Sequence, residues 1–487
     1  MHLLSWLYAA TLISLAFFGW NMLLMLALAV WHHRPRREAP SPTAWPSVLV
    51  QLPIFNEQHV VESLIDAAAA LDYPSELLTI QVLDDSTDDT TSIAKARIAY
   101  YRARGRRIAY RCRADRNGFK AGALAAGLRD TSVSGEFVAI FDADFVPPSD
   151  FLRRTIPPFR ADPRLGAVQA RWDHLNSSQS ALTGAQALAL DSYFMVDQIT
   201  CSRAGWLFTF NGSAGVWRRA CIADAGDWQS DTLSEDLDLS YRAQFKGWRL
   251  DYLPAVAVPA ELPASLTALK RQQFRWILGS FQVLSKLGPQ LLLARMSLLR
   301  KAEGFLQLAR CIVQPLVLIA LLLSLPVVLR HGQLPVNLSW LNWAWFGPVL
   351  VGLWGQIRLR RDWPRRLLYY PALVLIGVGL SLNGTVALWE ALFGRQHAFA
   401  RTPKFSSANQ RESAYALPLD WTTWGELGLA LYALATGLLA VELAPGLALF
   451  IFLYALSFGY TAALGFWQSG GVRATEHVGK KAQGPIN

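Results

Sequence analysis

Apolar runs long enough to cross a bilayer bracket a long stretch of ordinary soluble composition, and that arrangement excludes any single-core globular fold. The runs cover residues 3–31, 303–329, 339–357, 367–393, 426–443 and 446–467. They explain why 52% of the 487 residues are hydrophobic and why the mean hydropathy is +0.22. The formal net charge is +10. Its arginines cluster beside the apolar runs: Arg34, Arg36 and Arg37 after the first, then Arg358, Arg360, Arg361, Arg365 and Arg366 between two later ones. Such placement is the charge bias of cytosolic membrane flanks, and no nucleic-acid module is present, so nucleic acid is excluded as a partner. No Lys or Arg precedes the first run, the reverse of a cleavable signal peptide, which predicts an uncleaved anchor with its N-terminus outside. Cys112, Cys201, Cys221 and Cys311 show no metal-type pairing and read as reduced structural thiols facing the cytosol.

After a Pro-rich linker (Pro40-Ser41-Pro42, Trp45-Pro46), the stretch from Val48 to Pro263 reads as α/β. Val48–Leu52, Leu78–Leu83 and Phe137–Phe141 are strand-like runs separated by helical patterns, which predicts a mainly parallel sheet. Two runs end in acidic pairs, Asp84-Asp85 and Asp142-Ala143-Asp144. Ligands of such sheets bind beyond the carboxyl ends of the strands, so both pairs are expected to share one crevice. A basic and aromatic helix follows Pro263 and suits a membrane interface. If residues 270–280 and 395–405 face the same side, the crossings between them must be even, yet three apolar runs intervene. Ser381-Leu382-Asn383-Gly384 would interrupt the third, so five full crossings are expected, with 367–393 broken or re-entrant. The tail from Gly470 is polar, basic and expected to be poorly ordered.

The chemistry-bearing residues fall in four places. Asp142 and Asp144 are hard oxygen ligands suited to Mg²⁺ or Mn²⁺, which also bind phosphate oxygens. An isolated pair of this spacing is often only a solvated loop, and its position after a buried strand favours the functional reading. Asp84 and Asp85 at a strand end could accept hydrogen bonds from a nucleobase or ribose, whereas Thr87 to Thr90 read as a helix cap. Ser234-Glu235-Asp236 opens a helix, where Asp236 could serve as a general base or simply cap. Gln272, Arg275 and Trp276 are helical neighbours; Arg could neutralise a departing diphosphate and Trp could stack on a sugar, or both could be interfacial anchors. Carboxylate clusters beside a membrane point to a cation-assisted reaction on a phosphorylated donor at the bilayer surface.

Taken together these motifs resemble the membrane-embedded family-2 glycosyltransferases with a GT-A catalytic domain, a group that includes cellulose, hyaluronan, chitin and plant mannan synthases. The resemblance runs from about residue 48 to 410 and is strongest to the mannan-synthase-like branch. It is carried by Gln51–Glu57, Gln81–Asp88, Phe210–Arg218 and the Gln-x-x-Arg-Trp motif, in that order. It implies a Rossmann-like α/β GT-A domain plus an α-helical transmembrane region. By that similarity Asp84, Asp85, Lys120 and Asp142 would bind the donor nucleotide sugar, and Asp142 and Asp144 the metal. Asp236 would be the catalytic base, with Ser234 where the motif commonly has Thr. Asn211, Gly212, Gln272, Arg275 and Trp276 would bind the acceptor or diphosphate. Phe399–Lys404 resembles a gating loop, with Thr402 and Lys404 suited to phosphate and Arg401 where cellulose synthase has Val.

The implied organisation is an anchor (1–33), a cytosolic GT-A domain (34–265), interfacial helices (266–300), transmembrane or interfacial helices (301–393), a gating-like loop (394–424), a transmembrane hairpin (425–468) and a cytosolic tail (469–487). The implied reaction is single displacement with inversion, moving a hexose from a UDP- or GDP-linked donor onto a growing β-glycan, with Mg²⁺ or Mn²⁺ as cofactor. Membrane lipid surrounds the helices, and any export partner is unidentified. Two other readings compete: a glycolipid synthase with a ceramide, diacylglycerol or polyprenyl phosphate acceptor, and a non-catalytic transporter or scaffold. A transporter places its ionisable residues inside the spans, whereas here they concentrate in the soluble part.

Overall fold

The computed structural model describes residues 2–33, 39–393 and 419–482. Seven strands form one sheet: β1 (Val48–Ile54), β2 (Leu78–Asp84), β3 (Ile108–Cys112), β4 (Phe137–Ile140), β5 (Leu165–His174), β6 (Gly215–Arg218) and β7 (Arg249–Ala260). Their order is β3-β2-β1-β4-β6-β5-β7. β1 pairs parallel with β2 and β4, and β2 with β3; β6 runs antiparallel between β4 and β5. The winding reverses between β1 and β4, which opens a crevice at their carboxyl ends. The strand runs are apolar on both faces because helices cover both, and Trp217, Phe137 and Phe141 are fully buried among them. Each such side chain contributes roughly 1.5–3 kcal/mol by leaving water. One polar exception is a pair in register, Gln51 and Gln81. Gln51 Nε2 donates to Gln81 Oε1 at 3.0 Å, and Gln81 Nε2 donates to the Gly127 carbonyl at 3.1 Å. A Cβ at Gly127 would lie 2.4 Å from Gln51 Nε2, so the glycine lets a helix close onto the paired amides.

Five helices among the described residues are long and apolar enough to cross a membrane: His2–Trp31, Leu298–Val328, Trp363–Leu392, Thr422–Leu443 and Pro445–Ser469. They make the chain membrane-associated. The expected interruption falls one residue early: one helix ends at Gly379 and the next begins at Ser381, with Leu380 between them at ψ −5°. Hydrogen bonds still bridge the junction, from Leu380 N–H to the Ile376 carbonyl and from Gly384 N–H to the Leu380 carbonyl, both at 2.9 Å. The polar residues that follow it also serve packing. Asn383 Nδ2 donates to the Lys270 carbonyl at 3.0 Å, and a Cβ at Gly384 would lie 2.6 Å from Gln314 Cβ. The last helix, Pro445–Ala482, also runs past Gly470.

Contacts fix which segments traverse the helical layer. Arg330 Nη1 lies 3.3 Å from Ser5 Oγ, on the far face, whereas Arg360 bonds Asp173 and Asp191 of the α/β domain. The chain between them therefore runs from one face to the other, although its regular helix, Phe346–Leu359, is short. The helix Thr422–Leu443 begins beside Lys270 and is followed by Ala444, which packs with Val328 on the far face; the next returns to Gln468, whose Oε1 accepts the Leu266 N–H at 2.8 Å. The Trp363–Leu392 segment behaves differently. Tyr369 packs on Gly184 of the α/β domain, Asn383 on Lys270, and Gly384 on Gln314 at the start of its helix, so this segment stays on the near side.

Candidate active site

One end of the crevice is shaped by turns that follow β1 and β2. Asn56 adopts φ +55°, and its Oδ1 accepts the Thr87 N–H at 2.8 Å, tying the two loops together. Asp84 is buried and fully committed within the chain. Its Oδ1 accepts the Ser86 N–H at 2.8 Å, and its Oδ2 accepts the Thr91 hydroxyl at 2.8 Å and the Tyr110 hydroxyl at 2.7 Å. Asp85 lines the cavity wall, and Asp84 sits behind it. Asp85 pairs with Arg113, whose Nε donates at 2.9 Å. Beside it the Arg116 guanidinium lies 3.3 Å from the centroid of the Phe55 ring, and both side chains line the cavity. Where a cap was expected over Thr87–Thr90, the N-cap Asp89 makes no side-chain cap bond, and Asp88 Oδ1 instead accepts the Thr90 N–H at 3.0 Å.

The cavity, about 650 Å³, runs from Phe55, Asp85 and Arg116 past the acidic loops to Trp276 and Arg310. At its centre Lys120 Nζ lies 2.6 Å from Asp142 Oδ1, 2.9 Å from the Gly212 carbonyl and 3.9 Å from Glu235 Oε1. Asp142 is held in turn by its N–H, which donates to Ser213 Oγ at 2.9 Å. Gly212 sits at φ +82°, and a Cβ there would lie 2.7 Å from Asp236 Oδ2. Any side chain at this position would occupy the space in front of that carboxylate oxygen. The other oxygen, Asp236 Oδ1, accepts the Leu237 N–H at 2.8 Å. Capping and an open carboxylate thus coexist in one residue, because the helix Glu235–Phe245 begins at the cavity wall.

Burial raises the pKa of both Glu235, to about 7, and Asp236, with Lys120 opposing the shift in each case. Burial also works against the charge of Lys120, but Asp142 and Glu235 outweigh it and hold the ammonium above its ordinary value. Arg275 is lowered by burial against the combined fields of Glu235, Asp142, Asp236 and Asp144. The acidic loops after β4 and before Glu235–Phe245 therefore converge on one guanidinium. Asp142 and Asp144 both line the cavity. Among the described residues no group of three or more His, Cys, Asp or Glu is arranged around a point. Two carboxylates fit Mg²⁺ or Mn²⁺, which take their remaining ligands from water and phosphate.

Gln272, Arg275 and Trp276 line the membrane-side wall from the helix Leu266–Leu293. The same helical face is fastened to the Asp236 loop further along. A Cβ at Gly279 would lie 2.2 Å from Ser234 Oγ, Gln282 Oε1 accepts the Leu233 N–H at 2.8 Å, and Lys286 Nζ is 2.8 Å from both Asp231 and Asp238. Asn211 lines the opposite wall, its Nδ2 donating to the Tyr193 hydroxyl at 3.2 Å. A single π-helical turn, Phe194–Gln198, lets Gln198 Nε2 reach the Tyr193 hydroxyl at 2.7 Å and the Thr209 carbonyl at 3.0 Å, bracing the Asn211–Gly212 loop.

The structure thus brings Asp85, Lys120, Asp142, Asp144, Asn211, Gly212, Asp236, Gln272, Arg275 and Trp276 to one cavity. Thr402 and Lys404 lie outside the described residues. Sequence reasoning missed Arg116, Tyr193, His174 and Arg310 in the wall. Arg116 follows the basic strand β3 and was hidden among surface arginines; the others carry no local motif. His174 Nε2 lies 3.1 Å from Asp191 Oδ1, and Asp191 also bonds Gln356 and Arg360 of the helical layer.

Residues 46–279 match the family model described as glycosyltransferase like family 2. Over 252 residues the chain is 42% identical to glucomannan 4-beta-mannosyltransferase 9 of Arabidopsis thaliana, covering 51% of this chain and 47% of that protein. Over 254 residues it is 43% identical to probable glucomannan 4-beta-mannosyltransferase 3 of Oryza sativa subsp. japonica, covering 52% and 46%. The chain spans about half the length of the curated relatives it matches. In fold it is similar to a mannosyltransferase from Pyrobaculum calidifontis solved in complex with GDP-Man and Mn²⁺, with a TM-score of 0.57 at 20% identity over 80% of this chain and 100% of that one. The mostly parallel sheet is the one expected from the strand pattern, and the GT-A-like domain joined to apolar helices is what the family resemblance implied.

Proposed function

We propose that this chain, whose residues 46–279 form a family-2 glycosyltransferase domain, is a membrane hexosyltransferase that extends a β-glycan from a nucleotide sugar by inverting single displacement. Mannose from a GDP-linked donor is the favoured substrate, since the similar proteins are mannosyltransferases and one was solved with GDP-Man. The observation that carries this reading is the sharing of one cavity by Asp142, Asp144, Asp236, Arg275 and Trp276.

The nucleotide lies between Phe55, Asp85 and Arg116, where Asp84 organises the turn without touching it. A divalent cation held by Asp142 and Asp144 would neutralise charge on the departing diphosphate. Lys120 and Arg275 add fixed positive charge at the same place. The acceptor sugar stacks on Trp276 with its hydroxyl toward Asp236 Oδ2, which takes the proton as the hydroxyl oxygen bonds the anomeric carbon. The bond from that carbon to the diphosphate breaks on the opposite face, giving the β-linkage. Glycan extension, rather than transfer to a lipid, fits a cavity that continues past Trp276 to Gln307 and Arg310 of the helical layer.

The catalytic domain faces the cytosol with the first residues outside, and the chain crosses five times: 2–31, 298–328, 331–359, 422–443 and 445–468. The Trp363–Leu392 segment lies along the cytosolic interface, because its contacts fall on the domain side. The test is incubation of the detergent-purified full chain with labelled GDP-mannose, GDP-glucose and UDP-glucose, followed by sizing and linkage-specific digestion of the product. Polymer cut by a β-mannanase supports the reading. A single sugar on lipid would replace it with glycolipid synthesis, and no turnover of any donor would remove it.

A further inference from the structure

Lys270 is 1% exposed and lies on the helix that carries Gln272, Arg275 and Trp276, yet it lines no part of the cavity. At about 100° per residue, its side chain points roughly opposite to those three and to Gly279. Its Nζ lies 2.6 Å from Glu426 Oε1, with Thr422 Oγ1 at 3.2 Å and Thr423 Oγ1 at 3.4 Å. Glu426 is fully buried in the helix Thr422–Leu443. A buried ion pair gains little stability over an apolar pair of the same shape, so its presence asks for another role, of which fixing register is the best attested. A carboxylate within an apolar spanning helix has the same implication.

The front of the helix supplies the reason a register must be fixed. Gly279 meets Ser234, Gln282 bonds Leu233, and Lys286 pairs with Asp231 and Asp238, all within a few residues of Asp236. The helix is therefore gripped in front by the loop that carries Asp236 and behind by the spanning helix that carries Glu426. The Asn383 bond to the Lys270 carbonyl adds a second hold at the same turn.

We infer that the Lys270–Glu426 pair is a positioning device: it sets the depth and rotation of the Gln272–Trp276 face against Asp236, and so where the acceptor end sits relative to the donor. This rests on the glycosyl-transfer reading above. Its consequence concerns the choice of nucleophile. When the acceptor hydroxyl is displaced, water forms the new bond to the anomeric carbon instead and gives its proton to Asp236. The nucleoside diphosphate leaves as before, with free sugar as the product. Loss of the pair should therefore divide transfer from hydrolysis, whereas a general loss of folded protein lowers both together.

The experiment compares the full-length wild type with Lys270→Met, Glu426→Gln, the double apolar variant Lys270→Met/Glu426→Leu and the reversed pair Lys270→Glu/Glu426→Lys, each checked for monodispersity. Nucleoside diphosphate release and sugar incorporated into glycan are measured on the same samples with the donor that wild type turns over. The expected result is an incorporation-to-release ratio about tenfold or more below wild type in the apolar double variant, as a displacement of about 1 Å at a reacting centre produces, with release retained. The reversed pair should regain most of the ratio. The double variant keeps the test open if a single variant leaves an unpaired buried charge and does not fold. A monodisperse double variant with the wild-type ratio overturns the inference. Wild type that releases no nucleotide from any donor defeats the functional reading instead, a different outcome in the same assay.

Discussion

Lys120 Nζ lies 2.6 Å from Asp142 Oδ1, so the carboxylate proposed to hold a cation already has one. The ammonium neutralises Asp142 when no metal is bound, which separates the metal's contribution to folding from its contribution to rate. Chelation is expected to abolish transfer, with Mn²⁺ or Mg²⁺ restoring it, while leaving the melting temperature nearly unchanged. Asp144→Asn should raise the metal concentration needed for half-maximal rate. Rate and thermal unfolding measured across a metal titration check both.

Asp236→Asn keeps the volume and the acceptor for the Leu237 N–H but removes the basic oxygen beside Gly212. Transfer is expected to fall by about 10²–10⁴-fold, the range for loss of a general base, with donor affinity retained. Initial rates together with nucleotide binding by calorimetry test this. A variant within threefold of wild type would remove Asp236 from the chemistry.

The pH response follows from burial. Asp236 must be ionised to accept a proton, and its pKa is raised, so activity should climb as pH rises through that raised value. Stability moves the other way in the same region. Glu235 is raised from 4.5 to about 7, so between these values the folded state binds more protons than the unfolded one. Its contribution to stability is therefore lost as pH rises from about 4.5 to 7. Glu235→Gln should flatten that part of the stability profile, measured by chemical unfolding in detergent at stepped pH.

Asp191 joins the two parts of the molecule through His174 on β5 and through Gln356 and Arg360 of the helical layer. Burial opposes its charge, but His174 and Arg360 overcome this and hold its carboxyl well below the usual range. Removing one partner leaves a buried charge exposed to that penalty, so Arg360→Met should cost about 3–5 kcal/mol. The conservative Arg360→Lys keeps charge but not the fork that reaches Asp173 and Asp191, and should fall between. Thermal unfolding of the three proteins in one detergent decides it.

Much of the cavity could be read from sequence because its residues sit at strand ends, and strands are marked by apolar runs that stop at acids. Asp142 and Asp144 follow β4 in that way, and Gln272, Arg275 and Trp276 share a helical face by spacing alone. Spacing could not show that the Asp84 oxygens accept from Ser86, Thr91 and Tyr110 while Asp85 lines the cavity. Ser381–Gly384 marked the interruption at Leu380 to within a residue, but spacing could not show that Asn383 and Gly384 pack on Lys270 and Gln314. Lys270–Glu426 and Asp191–Arg360 leave no local trace at all. Each pair joins residues more than a hundred positions apart, and only the folded topology brings them together.

The first helix has a bearing on how this protein can be handled. Met25 and Ala29, near its end, belong to the same buried cluster as Leu49, Val138 and Trp217 of the sheet, and the Met25 carbonyl accepts the Thr200 hydroxyl at 2.9 Å. The end of this anchor helix is thus packed into the core of the α/β domain. Trimming the gene at the linker to obtain a soluble fragment would uncover an oily seam on the sheet's flank, and the excised piece should precipitate rather than crystallise.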